Sequence, residues 1–109
     1  MEELKKQHCV PCEGKTKPML REEAEAILAF TSGWVIVGDG KKISKDFVFA
    51  DFKEAMLFVN KVASIAESEG HHPDIFIWWN KVTFLISTHA VGGLTTNDFI
   101  LAAKVNELS

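Results

Sequence analysis

Three of the four histidines stand where the sequence predicts sharp backbone turns, and together they could carry acid–base chemistry. His71 and His72 directly precede Pro73, and two glycines closely follow His89. An imidazole has an ordinary pKa of about 6.5, so it can both donate and accept a proton near neutral pH. Loss of water from a carbon beside a ring nitrogen needs both transfers, one to the leaving hydroxyl and one from the nitrogen. Three histidines brought together would therefore suit acid–base chemistry of this kind.

Nearby charges bear on how these histidines would titrate. Adjacent imidazoles such as His71 and His72 disfavour each other's protonation. Glu67 precedes His71 by four residues, so on a continuing helix its carboxylate could reach that ring and favour its charged form. Glu67 and Asp98 are otherwise interpreted as structural, the first orienting His71 and the second capping a helix. Surface histidines without a role, or a zinc site of three imidazoles, are the alternative readings.

Periodicity predicts the elements that must position these residues. Residues 21–30 have the pattern of a short amphipathic helix, and residues 34–37 with the strand ending at Phe49 read as a hairpin around Gly38-Asp39-Gly40. Asp51 and Glu54 have capping-box spacing and begin a long helix that Gly70 ends. Its predicted buried stripe comprises Phe52, Ala55, Met56, Val59, Val62, Ala63 and Ala66.

The second half of the sequence repeats this order. Residues 75–79 and 82–88 form a predicted hairpin, with Val82, Phe84 and Ile86 on one face. Thr95 with Asp98 begins a last helix to about residue 108, whose predicted inward residues are Phe99, Ala102, Ala103 and Val105. The order αββαββα predicts an α+β fold, a four-stranded antiparallel sheet with three helices packed on one face.

Composition narrows the class of protein. The chain has 109 residues, 47% of them hydrophobic, and a formal net charge of -3. A chain of this length typically forms one domain, here residues 20–109. The negative net charge and the lack of a basic cluster argue against direct nucleic-acid binding. No run is apolar and long enough for a signal peptide or a membrane span, so we expect a cytoplasmic protein without membrane contact.

Residues 1–19 have no apolar periodicity and read as an arm that leads into the domain. The arm contains Cys9 and Cys12 in the run HCVPC. Half of a zinc site or a redox pair would use this spacing, but a second ligand pair and a βαβ context are missing. We therefore expect a mobile arm with two reduced thiols, with a disulfide or a metal shared between subunits as alternatives.

A spaced pattern links the histidines to a known family. The run Glu67-x3-His71-His72-Pro73-x5-Trp79-x9-His89-x8-Asp98 closely resembles the signature of pterin-4a-carbinolamine dehydratases. Further likeness is found in Gly33-Trp34, in residues 47–52, in Asn80-Lys81-Val82 and in Gly93-Leu94-Thr95, so the resemblance covers roughly residues 20–108. It implies a four-stranded antiparallel sheet with three helices, assembled into homodimers or homotetramers.

The resemblance also implies an activity and its residues. Members convert 4a-hydroxytetrahydropterin to quinonoid dihydropterin and water in tetrahydrobiopterin recycling, without metal or organic cofactor. The motif histidines match His71, His72 and His89, with the first and third as acid–base pair and His72 in pterin binding. The implied substrate-binding residues are Trp34, Glu67, Ser87 and Thr88. Where the family commonly has an acidic residue this chain has Gly70, for which Glu69 is a candidate substitute.

Two other functions remain open on the sequence. Some relatives stabilise dimers of a transcription factor, so a non-catalytic dimerisation or coactivator-type binding module is one alternative. A dehydratase acting on another pterin, such as a molybdopterin-related compound, is the other, and it would use the same histidines.

Overall fold

A computed structural model describes residues 3–11 and 17–109 of the chain. Three helices and four strands alternate in the predicted order αββαββα, which confirms the α+β fold. The elements are α1 (Arg21–Leu28), β1 (Val35–Val37), β2 (Lys42–Val48), α2 (Phe52–Glu69), β3 (Asp74–Trp78), β4 (Lys81–Ile86) and α3 (Thr96–Leu108). Short 3₁₀ turns at Leu4–Lys6 and His89–Val91 complete the described chain.

The four strands form one antiparallel sheet in the order β1-β2-β4-β3. β2 and β4 are central, with Phe47 opposite Val82 and Ile43 opposite Ile86. β3 is an edge strand, and its first residue, Asp74, lies opposite Leu85 near the end of β4. Because β3 and β4 are antiparallel, the residues just before β3 and just after β4 come together at one end of the sheet.

The predicted alternation of the strands is confirmed. Val82, Phe84 and Ile86 are fully buried on the face that α2 covers. Phe47 packs its ring 4.9 Å from that of Phe58 on α2, centroid to centroid. Leu85, one residue out of phase with the buried set, is only half-buried, so the opposite face of the sheet is more open.

Helix α2 begins and ends as predicted, but its buried stripe differs in detail. Asp51 caps it, its side chain accepting from the amide of Glu54 at 2.9 Å. The buried residues are Ala55, Phe58, Val59, Val62 and Ala66. Phe52 is 48% exposed and Ala63 is also exposed, which corrects two predictions, because the stripe is centred on the 55–59–62–66 row. Phe58, which the predicted stripe did not include, is buried and packs against three other phenylalanines.

Helix α3 is buried on more than the predicted side. Phe99, Ala102 and Val105 face the core as expected, but Ile100 and Leu101 are also buried. The Leu4–Lys6 turn packs against this helix, and a helix that is apolar nearly all round is one covered on two sides. The prediction of a mobile arm is therefore wrong for residues 3–11, because these residues pack against the domain. The prediction of a reduced thiol at Cys12 concerns a residue outside the described ones.

Candidate active site

A cavity of about 390 Å³ opens at the end of the sheet where β3 begins and β4 ends. Its lining is drawn from four parts of the chain: the α2–β3 turn, the segment after β4, the start of α3 and the N-terminal arm. The lining residues are Cys9, Val10, Pro11, Glu69, Gly70, His71, His72, Ser87, Thr88, His89, Ala90 and Asn97. The structure thus brings all three predicted catalytic histidines to one cavity, of a size typical for small-ligand sites.

His71 is positioned by the end of α2. Gly70 adopts a left-handed conformation with φ of 65°, which lets the chain turn sharply out of the helix. The amide of His71 then donates to the carbonyl of Ala66 at 3.2 Å, completing the capping turn. The helix cap therefore fixes the backbone of His71 independently of the contacts that its side chain makes.

The ring of His71 is held by a buried carboxylate. Its Nε2 lies 2.6 Å from Oδ1 of Asp98, which is fully buried. The other oxygen of Asp98 accepts from the Thr95 amide at 2.8 Å and the Thr88 hydroxyl at 2.9 Å. A carboxylate that accepts on both oxygens needs a proton on Nε2 of His71, so Nδ1 is the nitrogen left to exchange protons.

This pairing adds to one sequence expectation and corrects another. Asp98 does form the predicted capping box with Thr95, but it also orients the histidine, a second role that helix-end spacing alone does not reveal. Glu67 pairs with His72, Oε1 to Nε2 at 3.0 Å, instead of with His71. The turn at Gly70 rotates His71 away from the outer face of α2, and both members of the Glu67–His72 pair are largely exposed.

His89 lines the cavity from a tight loop that follows β4. Thr88 pairs with Gly93 through an isolated antiparallel bridge, and the 3₁₀ turn His89–Val91 fills the loop between them. The ring of His89 is exposed and has no hydrogen-bond partner among the residues that the structure describes. It is thus free to contact a bound ligand. Ser87 and Thr88 line the same wall, as predicted, although the Thr88 hydroxyl is already bonded to Asp98.

Trp34 does not join this site. Its side chain is 3% exposed in the core, and its Nε1 donates to Oδ1 of Asn106 on α3 at 3.0 Å. The same amide oxygen accepts from Lys45 at 2.8 Å. Trp34 therefore packs between the sheet and the end of α3, and it is absent from the cavity lining.

The N-terminal arm contributes a wall that sequence reasoning missed. Cys9, Val10 and Pro11 face the cavity. Burial, reinforced by the charges of Glu69 and Asp98, raises the pKa of the Cys9 thiol to about 12. Cys9 is consequently a protonated, packed side chain near neutral pH and no reactive thiolate. The sequence of α3 contains more apolar residues than a single buried face needs. This surplus is the signal that could have predicted a second covering segment such as the arm.

Glu69 is engaged by the arm. Its side chain is 7% exposed, and its oxygens accept from the Cys9 amide and from Nδ1 of His8, each at 2.8 Å. Burial opposes its charge, but these two hydrogen bonds and the charge of Lys104 prevail, so the pKa of Glu69 is lowered. Glu69 therefore does not supply a free carboxylate in place of the acidic residue replaced by Gly70.

Comparison with known proteins identifies the chain's relatives. The sequence pattern of the family described as "Pterin 4 alpha carbinolamine dehydratase" matches residues 17–108. The chain belongs to this family. A protein of Aromatoleum aromaticum named "Putative pterin-4-alpha-carbinolamine dehydratase" is 44% identical over 108 residues, which cover 99% of this chain and 96% of that one.

Two further relatives extend the comparison. "Pterin-4-alpha-carbinolamine dehydratase 2, mitochondrial" of Arabidopsis thaliana is 44% identical over 110 residues, covering 97% of this chain and 59% of that one. The crystal structure of a "transcriptional coactivator/pterin dehydratase" from Brucella melitensis has a TM-score of 0.80 at 32% identity, over 84% of this chain and 98% of that one. The fold of the dehydratase family is therefore the fold of this chain.

The described residues contain neither a metal-binding cluster nor a membrane-spanning helix. No three His, Cys, Asp or Glu side chains among residues 3–11 and 17–109 are placed to hold a metal ion together. Over the same residues, every helix is too short or too polar to cross a membrane.

Proposed function

We propose that this protein dehydrates a 4a-hydroxytetrahydropterin to quinonoid dihydropterin and water, as one step of tetrahydropterin recycling. Membership of the dehydratase family supports the reaction class. The observation that carries the proposal is the convergence of His71, His72 and His89 on one cavity, with His71 held by the buried Asp98. A base oriented by a buried carboxylate is a common arrangement for proton transfer.

The two proton transfers assign roles to the histidines. His71 takes the proton from the ring nitrogen N5 through Nδ1, and the Asp98 carboxylate stabilises the imidazolium that forms. His89 delivers a proton to the hydroxyl on C4a, which leaves as water while the C4a–N5 double bond forms. Atoms and electrons balance without any oxidant or reductant. His72, which Glu67 orients at the cavity mouth, binds the polar edge of the pterin.

Histidine substitutions test this function. The pure protein should accelerate dehydration of 4a-hydroxytetrahydropterin above the spontaneous rate, followed by absorbance in a stopped-flow instrument. General acid–base catalysis contributes about 100-fold or more per group, so His71→Ala and His89→Ala should each lower kcat by about that factor. His72→Ala should raise KM more than it lowers kcat.

The outcomes separate catalysis from binding. Thermal unfolding of each variant shows whether it has folded, and binding of 7,8-dihydrobiopterin, which carries no 4a-hydroxyl, reports whether the cavity is intact. A folded wild-type protein that binds the dihydropterin without accelerating dehydration would contradict the catalytic proposal. Full activity in His89→Ala would remove His89 from its assigned role.

A further inference from the structure

The N-terminal arm builds part of the cavity in which the histidines meet. Cys9, Val10 and Pro11 form one wall of it. We propose that this wall, residues 9–11, is a face of the pterin-binding pocket and sets the affinity for the substrate, held in place by Glu69 and Asn97. The inference rests on the function proposed above.

Glu69, at the end of α2, fixes the first part of the wall. Its carboxylate accepts the Cys9 amide and Nδ1 of His8, both at 2.8 Å, from a site that is nearly closed to water. Lys104 on α3 lies 3.8 Å from the same carboxylate and neutralises it. A buried, charge-assisted acceptor of this kind holds a backbone amide more firmly than a neutral one.

Asn97, at the start of α3, fixes the second part. Its Oδ1 accepts from the Val10 amide at 3.0 Å, and its Nδ2 donates to the Val10 carbonyl at 2.6 Å. The side chain, in a residue 5% exposed, thus pairs with both backbone groups of Val10, as a neighbouring strand would. This pairing fixes both the position and the orientation of Val10 at the cavity.

A third anchor lies farther from the cavity. Leu4 is 5% exposed in the hydrophobic core, and the Lys5 carbonyl accepts from Nζ of Lys104 at 3.0 Å. The segment between Leu4 and Val10 is therefore fastened at both ends. Because the wall is already ordered, little conformational entropy of the protein is lost when a ligand binds, which favours affinity.

The wall's chemistry suits a flat heterocycle. Val10 and Pro11 give it apolar side chains, and Val10 is 65% exposed, so its side chain is available to a ligand. Other parts of the cavity lining carry imidazoles and hydroxyls. A pterin ring needs this combination, an apolar surface against its face and polar groups around its edge.

Release of the arm tests the proposal without substituting any residue that lines the cavity. Leu4→Asp places a charge in the core under the remote anchor and should undock residues 4–10. KM for the 4a-hydroxytetrahydropterin and Kd for 7,8-dihydrobiopterin should each rise about 5- to 10-fold, with kcat within about twofold, because lost uniform binding raises KM alone. Leu4→Ile should restore both constants. Leu20→Asp is the matched control, since Leu20 is 68% exposed and lines no part of the cavity.

A second variant acts on the wall itself. Val10→Asp puts a charge at an exposed position, so folding is not at risk, and it should raise the same two constants. Undocking of Leu4→Asp is verified by faster amide hydrogen exchange of residues 4–10. Wild-type KM and Kd in both variants would overturn the inference while leaving the proposed dehydration standing. If the wild type fails to dehydrate the substrate, the Kd values for 7,8-dihydrobiopterin still decide whether the wall binds pterins.

Discussion

At the scale of single residues, Asp98 has two structural roles, and the sequence predicts only one of them. Its spacing from Thr95 predicts a helix cap, and it is one, accepting the Thr95 amide at 2.8 Å. Its 2.6 Å contact with His71 joins two residues that are 27 positions apart in the sequence. Helix-end spacing predicts the local bond, whereas the long-range bond depends on how α2 and α3 pack. The three histidines that line the cavity could be singled out from the sequence, but their pairing with carboxylates could not.

Asp98→Asn is expected to separate these roles. An amide cannot accept on both sides, so His71 loses its fixed tautomer while the side chain keeps its size. We expect kcat to fall about 10- to 100-fold, the usual loss for an orienting group, while Kd for 7,8-dihydrobiopterin stays within about twofold. Asp46→Asn is the matched control, because Asp46 is exposed on the sheet and bonds to Thr83. Equal kcat in the Asp98 variant and the wild type would contradict the orienting role.

At the scale of elements, the sequence predicts much of the scaffold. The caps at Asp51 and Thr95 and the stop at Gly70 are local signals, and they lie where predicted. The buried side of α3 is less predictable, because it depends on a partner from the other end of the chain. Leu101 is buried although it lies off the predicted stripe. The arm itself has no periodicity, since it docks through hydrogen bonds of its backbone and polar side chains and through one buried leucine.

Docking of the arm on α2 should weaken at acidic pH. A carboxyl whose pKa is lowered on folding stabilises the native state above its unfolded pKa, and that stability is lost as pH falls through the folded pKa. The pKa of Glu69 is lowered from its ordinary 4.5. Wild type should therefore have a higher Tm than Glu69→Gln at pH 6 to 8, and the difference should shrink below about pH 4.

Calorimetric scans across that pH range measure this difference. Glu22→Gln is the control, since Glu22 is an exposed residue of α1, and it should have nearly the wild-type Tm at every pH. A Tm difference for Glu69→Gln that stays constant down to pH 3 would show that the charge of Glu69 does not hold the arm.

At the scale of the whole molecule, the sheet leaves an apolar edge uncovered. Phe76, Ile77 and Trp78 on the edge strand β3 are 45%, 39% and 53% exposed, and the next residue, Trp79, is 65% exposed. A cluster of exposed aromatic side chains along an unpaired strand edge is a common contact between copies of a chain. The family resemblance implies a homodimer or homotetramer, and this edge is where we expect copies to meet.

Charge substitution on β3 tests the assembly. Light scattering after gel filtration should show wild type as a dimer or larger, and Phe76→Lys with Trp78→Lys should shift it toward the monomer, because two buried ammonium groups would oppose association. Phe30→Lys is the matched control, at a residue 67% exposed after α1. A monomeric wild type at micromolar concentration would contradict the prediction.

The docking of the arm on α3 also has a consequence for synthesis. Lys5 bonds with Lys104 and Glu107, so the contacts span 99 and 102 residues, almost the entire chain. A ribosome makes the arm before it makes the α3 surface on which the arm docks. The sheet can begin to form while the chain is still growing, but one wall of the cavity must wait until α3 has emerged. The newborn protein thus gains its complete pocket only after α3 has been made.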